Sequence, residues 1–209
     1  MDGVLIDSES AWVPFQDAFS TSLFGLEIYK KVGASVGITI NDIYKKASRF
    51  GFSMNMDQYY SRYDQQAIEV YKNAKPTKEI KKLVTFLKHR GFKIGLVSSS
   101  RKTWIKFVLN KLDLEGLFDD ILSINDEKIE SKPKPTAYSK IINKLGVKES
   151  QAIVLEDTNN GINSAKKAGA IVIGFQENIP NNYIQKNADY YAINVNDVIN
   201  VVNRLIDGR

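Results

Sequence analysis

From Pro76 to the C-terminus, apolar positions switch repeatedly between two periods. Ile80, Leu83, Val84 and Leu87 recur at helical spacing and stop at Gly91, which predicts a helix closed by a glycine. The apolar run at 92–97 reads as a buried strand, and Trp104, Ile105, Val108, Leu109 and Leu112 then return to the helical period. A short strand at 118–123, a polar loop and a helix carrying Tyr138, Ile141, Ile142 and Leu145 come next, followed by a strand at 152–155, a short helix at 161–168 and a strand at 171–174. A weaker strand at 189–192 and a closing helix near 195–205 complete the pattern. Strands separated by helices of this length pair in parallel with helices on both faces, a doubly wound, Rossmann-like α/β sheet. Ligands of such sheets bind beyond the carboxyl ends of the strands.

Residues 10–75 follow a different pattern. They are rich in tyrosine and lysine, read as mostly helical and contain no convincing buried strand. The chain therefore divides into an α/β part, 1–9 with 76–209, and an inserted helical part, 10–75.

Composition narrows the chemistry. The chain has 209 residues, 43% hydrophobic and 25% charged, enough for one core with an insertion. No apolar run approaches the ~18 residues of a membrane span, and the start lacks a signal-peptide pattern; a soluble, cytoplasmic protein acting as a monomer is expected. The absence of cysteine excludes disulfides, thiolate zinc sites and cysteine nucleophiles. The single histidine, His89, sits just before Gly91, where a cation near a helix C-terminus is the simpler explanation. Acid–base work falls to carboxylates, lysines or tyrosines. The net charge of +5 comes from lysines spread along the chain, with lysine pairs beginning at positions 30, 45, 81 and 166. Solvated helix faces account for them better than a nucleic-acid stripe, and a small phosphorylated ligand suits the mild bias.

Four segments carry candidate chemistry. Ser98, Ser99 and Ser100 follow an apolar strand and precede a helix, where hydroxyls and N–H groups can hold phosphate; a serine N-cap would account for only one of them. Lys132 precedes Pro133, so its backbone is held extended and its side chain leaves in a fixed direction. Glu156 and Asp157 end an apolar strand before Thr158, Asn159 and Gly161; one acid could cap a helix, whereas a pair suits a hard, oxygen-preferring cation such as Mg²⁺. The fourth segment, Met1-Asp2-Gly3-Val4, leads into Asp-Ser-Glu.

These four segments, in this order, resemble the motifs of the haloacid dehalogenase superfamily, in the branch of sugar-phosphate phosphatases and beta-phosphoglucomutases. The resemblance implies a Mg²⁺-dependent phosphohydrolase for a small phosphorylated metabolite, a sugar phosphate in kind, working through an aspartyl phosphate. It makes Asp2 the general acid–base and Ser98, Ser99 and Lys132 the phosphate-holding groups. Asp157 and the backbone carbonyl of Asp2 bind the metal, with Glu156 in or beside that set. Residues 10–75 become the family's helical cap, where Tyr29, Lys30, Ser35 and Tyr59 are candidate specificity residues.

The nucleophilic aspartate of the first motif would fall just before Met1. The strand that carries it is central in the family, between the strands ending at Ser98 and Glu156, so an N-terminally truncated chain with an unpaired gap is expected. Two alternatives remain. A beta-phosphoglucomutase-type phosphomutase carries a histidine and an arginine in its cap, where an ungapped register gives Trp12 and Val36 here, which favours the phosphatase. The other is an inactive phosphate-ligand-binding or regulatory protein.

Overall fold

The computed structural model describes residues 1–33, 39–180 and 182–208; Ser35 and Val36 lie outside the described residues. The chain turns at its start, where the N–H groups of Val4 and Leu5 both donate to the Met1 carbonyl, at 3.2 and 2.7 Å. Ile6–Asp7 (β1) then runs antiparallel to Lys75–Pro76 (β2), Ile6 opposite Pro76 and Asp7 opposite Lys75. This short pair ties together the two ends of the helical insertion.

Between them lie Ser8–Phe24 (α1), Leu26–Val32 (α2), Ile40–Ser48 (α3) and Met56–Asn73 (α4). Local chemistry sets their starts: Asp7, Thr39 and Asn55 each accept a backbone N–H of the first turn of α1, α3 and α4, satisfying donors that a helix leaves open. Tyrosines do the packing. Tyr59 is fully buried, with Tyr44 and Tyr63 at ring-centroid distances of 5.0 Å each, and its hydroxyl donates to the Ile40 carbonyl at 2.7 Å. Of the candidate specificity residues, Tyr59 is thus a packing residue and Tyr29 is bonded to Asp17 at 2.6 Å.

The α/β part continues with Ile80–His89 (α5), Gly95–Ser98 (β3), Lys102–Lys111 (α6), Asp120–Ser123 (β4), Thr136–Leu145 (α7), Ile153–Glu156 (β5), Asn159–Lys167 (α8), Ile171–Phe175 (β6), Tyr190–Ala192 (β7) and Val195–Asp207 (α9). β3 is shorter than the hydropathy predicts. Gly91, with φ +76°, turns the chain after α5, and Phe92 closes that turn by donating to the Leu87 carbonyl at 3.0 Å, so pairing starts only at Gly95.

All strand pairs in this part are parallel, but they form two sheets. β3 pairs β4 with Gly95 opposite Asp120; β5 pairs β6 with Ile153 opposite Ile171; β6 pairs β7 with Ile173 opposite Tyr190. Among the described residues the second edges of β3 and β5 have no strand partner. Among the described residues these parallel strands thus form two sheets, where one doubly wound sheet with an unpaired gap is expected. Two apolar clusters surround the sheets, one including Ile105, Val108, Leu114 and Phe175, the other Leu122, Ile124, Ile162 and Val172, all fully buried. Each such side chain contributes ~1.5–3 kcal/mol of burial. No helix among the described residues is long and apolar enough to cross a membrane.

Candidate active site

β3 ends at Ser98, whose buried hydroxyl accepts the Ser100 N–H at 3.1 Å. That bond folds the loop back, and Ser100 Oγ then donates to Asp2 Oδ2 at 2.8 Å. Two more hydroxyls reach the same carboxylate. Ser8 Oγ, from the first residue of α1, donates to Asp2 Oδ1 at 2.7 Å, and Tyr71 OH, from α4, donates to it at 2.9 Å. Burial, with the nearby Asp2 charge, pushes the Tyr71 hydroxyl well above its ordinary value, so it stays a donor. Asp2 is thus held in orientation from three separate elements. The sequence motifs contain Ser8 and Ser100, but nothing local to Tyr71 announces its role.

The second acidic group lies at the end of β5. Glu156 Oε1 accepts from Lys132 Nζ and Tyr138 OH, while Oε2 accepts from the N–H of Asp157 at 3.2 Å, the N–H of Thr158 at 3.4 Å and Thr158 Oγ1 at 3.3 Å. Burial opposes ionisation, but the Lys132 charge and the hydrogen bonds from Lys132 and Tyr138 outweigh it and hold the Glu156 carboxyl down at about 2. With both oxygens committed to protein donors, Glu156 acts as the anchor of Lys132. The Lys132 ammonium also lies 5.2 Å from the centre of the Tyr138 ring. The Lys132–Pro133 peptide is cis.

Asp157 is in the opposite situation. Burial and the adjacent Glu156 charge push its carboxyl up to about 7, a state that a bound cation would relieve. Two close approaches seat the pair. A Cβ on Gly3, where φ is +68°, would lie 2.0 Å from Asp157 Oδ2, and one on Gly161 would lie 2.0 Å from the Glu156 carboxylate. Gly3→Ala should displace Asp157 and cost about 1–3 kcal/mol of stability; an unchanged melting temperature would refute the contact. Beneath the loop, Gln185 Nε2 donates to the carbonyls of Asp157 at 2.7 Å and Phe175 at 2.8 Å, and Thr158 caps α8 by accepting the Gly161 N–H at 3.1 Å. The sequence offers one of the two acids as the cap of α8, whereas Thr158 fills that place, and nothing local announces Gln185.

Among the described residues no three acidic or histidine side chains converge on one point. The donors present are nonetheless hard oxygens, and Asp157 is a partly buried carboxylate whose ionisation a cation would favour, so these residues fit Mg²⁺ as part of a larger ligand set.

One cavity of about 680 Å³ joins these groups. Asp2, Ser98, Ser99, Ser100, Lys132 and Asp157 line it, with Trp12 from α1 and apolar side chains of β3 and β5. The sequence of this chain matches the model of the haloacid dehalogenase-like hydrolases over residues 1–175. The chain belongs to that family. Within the haloacid dehalogenase-like hydrolases it is similar to the phosphoglycolate phosphatase of Aquifex aeolicus, 30% identical over 171 residues that cover 81% of this chain and 78% of the relative. It is equally similar to hexitol phosphatase B of Escherichia coli, 30% identical over 176 residues, 80% of this chain and 77% of the other. In fold it is similar to the beta-phosphoglucomutase of Clostridium difficile, with TM-score 0.73, 23% identity and coverage of 100% and 96% of the two chains. For CbbY of Rhodobacter sphaeroides, solved with phosphate, the values are 0.75, 18%, and 95% and 93%.

Proposed function

We propose that this chain carries the phosphoryl-transfer site of a Mg²⁺-dependent phosphatase for a small sugar phosphate, with residues 10–75 as its cap. One observation carries the reading: Asp2, clamped by three hydroxyls, lines the same cavity as Ser98, Lys132 and Asp157. The named relatives that act on phosphorylated compounds as phosphatases support it.

In this reading phosphoryl transfer runs through an aspartyl phosphate, as the family resemblance implies. Ser98, Ser99 and Lys132 bind and orient the phosphoryl oxygens. Asp2 gives a proton to the leaving oxygen, and after departure of the alcohol it takes one from the water that attacks the aspartyl phosphate. Mg²⁺, held by Asp157 and the Asp2 carbonyl, supplies charge compensation when bound. Glu156 fixes Lys132 without touching the substrate. Trp12 lining the cavity, where a mutase would place a histidine, favours transfer to water over transfer to a second sugar hydroxyl.

Lysines of the α/β surface are paired with acids, as in Lys88–Asp119, Lys140–Glu127 and Lys166–Asp189, which suits a cytoplasmic monomer that does not bind nucleic acid. The test compares Mg²⁺-dependent release of phosphate from a panel of sugar phosphates by this chain and by a form extended upstream. Turnover confined to an extended form with aspartate before Met1, and lost on Asp2→Asn, is expected. If every form is inactive yet binds sugar phosphates, the protein is a binding or regulatory one.

A further inference from the structure

We infer that the side of α1 turned to the cavity selects substrates by charge: it suits a phosphate monoester whose remainder is uncharged and hydroxylated, and Glu9 turns away esters that carry a second anionic group. The inference rests on the phosphatase reading, because Ser98 and Lys132 must mark the phosphate end of the cavity.

α1 begins at Ser8, whose hydroxyl is bonded to Asp2, so its first turn stands beside the reacting end. From there Glu9, Trp12, Gln16, Phe19 and Ser20 line the cavity. They recur at intervals of three and four and so share one side of the helix. Their burial agrees: each is buried or half-buried, whereas Val13, Phe15, Asp17 and Ala18 are exposed. Phe19 is fixed by an edge contact with Tyr63 of α4, ring centroids 4.9 Å apart. The wall thus offers a carboxylate, an amide, a hydroxyl and an indole ring, groups that bond hydroxyls and cover C–H surface.

No cation accompanies them. Among the described lining residues the cationic side chains are Lys132, anchored by Glu156, and Lys93, which donates to the Leu145 carbonyl at 2.7 Å before β3 begins. None of the lysines and arginines between α1 and β2 lines the cavity; Lys45 pairs with Asp42, Lys72 with Glu69, and Arg62 donates to Ser22. Arg101, which follows the three serines, is committed to Asp64 and Asp126 and lies 4.3 Å from the centre of the Tyr60 ring.

Glu9 registers the same shortage. Burial and the charges of Asp2 and Asp7 all push its carboxyl up, and no cation or hydrogen bond offsets them. The N-terminus of α1 accounts for an acid in the first turn, but it supplies no counter-charge for a second anion. A carboxylate or second phosphate on the substrate would enter a region that already holds Asp2 and Glu9 with nothing to neutralise it. Repulsion of this kind discriminates between ligands without any added attraction for the favoured one.

Calorimetric titration of the 209-residue chain at pH 8 with Mg²⁺ tests this, with inorganic phosphate, sorbitol 6-phosphate, 2-phosphoglycolate and fructose 1,6-bisphosphate as probes. Sorbitol 6-phosphate should bind about tenfold more tightly than either anionic ester, a solvent-screened like-charge repulsion. Glu9→Gln should shrink that gap to about threefold or less, and Glu9→Lys should reverse the order. Glu9→Gln keeps the size and helix propensity of the residue, so it carries the test even if Glu9→Lys does not fold. Inorganic phosphate that binds while 2-phosphoglycolate equals or exceeds sorbitol 6-phosphate overturns the inference and leaves the phosphatase reading standing. So does a preference that Glu9→Gln leaves unchanged, or binding of none of the three esters. Inorganic phosphate that does not bind removes the phosphate end itself, and both ideas fall.

Discussion

Replacing Asp157 by asparagine should make the metal-free protein more stable at pH 8, not less. Burial and the neighbouring Glu156 charge push the Asp157 carboxyl up to about 7, whereas the unfolded chain ionises it near ~3.9. Between those values the folded state holds a proton that the unfolded state has released. Stability from this group is therefore full below pH ~4, is lost as pH rises through about 7, and is level beyond that. Three units at ~1.4 kcal/mol each set an upper limit of ~4 kcal/mol; with Glu156 coupled to it, about 2 kcal/mol is expected. Asparagine removes that penalty, so Asp157→Asn should melt about 5 °C higher at pH 8 and no higher at pH 4. The wild-type chain should gain melting temperature from Mg²⁺, more at pH 8 than at pH 5, and the variant should gain none. A variant that melts lower at pH 8, or that still responds to Mg²⁺, would remove Asp157 from the metal assignment.

Lys132→Met has the opposite effect and should be the most damaging single change at the site. The side chains of Lys132 and Glu156 are 10% and 4% exposed, and deleting one partner of a buried pair costs about 3–5 kcal/mol because the other charge is left uncompensated. In the wild type the Glu156 carboxyl sits at about 2, below its ordinary 4.5. Its contribution is present above pH 4.5 and disappears as pH falls through 2. Without Lys132, Glu156 takes up a proton more readily, so the deficit should shrink as pH is lowered from 8 to 5. Urea unfolding of Lys132→Met, Glu156→Gln and the double variant measures this, and the double variant should recover most of the loss. An equal deficit at both pH values, or a double variant no better than Lys132→Met alone, would contradict the pairing.

These two acids also show what a linear chain discloses. The adjacency of Glu156 and Asp157 at the end of an apolar run is visible in the sequence, as is their place at the mouth of a sheet. Which of them is engaged by protein side chains is not, because the answer lies 24 residues away at Lys132 and 18 away at Tyr138. Asp2 is a similar case. Ser8 and Ser100 lie inside recognisable motifs, but the Tyr71 hydroxyl reaches Asp2 across 69 positions, and an ordinary helical tyrosine carries no mark of that contact. Hydropathy placed the strands and their parallel sense within a few residues, missing mainly where Gly91 spends Phe92 on closing a turn. It names no strand's neighbour; the expectation of an unpaired gap between the strands ending at Ser98 and Glu156 comes from the family resemblance alone.

The two-residue pair of β1 with β2 has an engineering consequence. Because the chain leaves and re-enters the α/β part at Ile6–Asp7 and Lys75–Pro76, a replacement for the segment between them must also restore its contacts with that part, among them Asp64 with Arg101 and Trp104 and the Tyr71, Lys72 and Ala74 carbonyls with Lys111. Tyr71 limits the freedom: any graft must end in a helix that returns a hydroxyl to Asp2, or the exchanged helices will dock with the carboxylate one tether short.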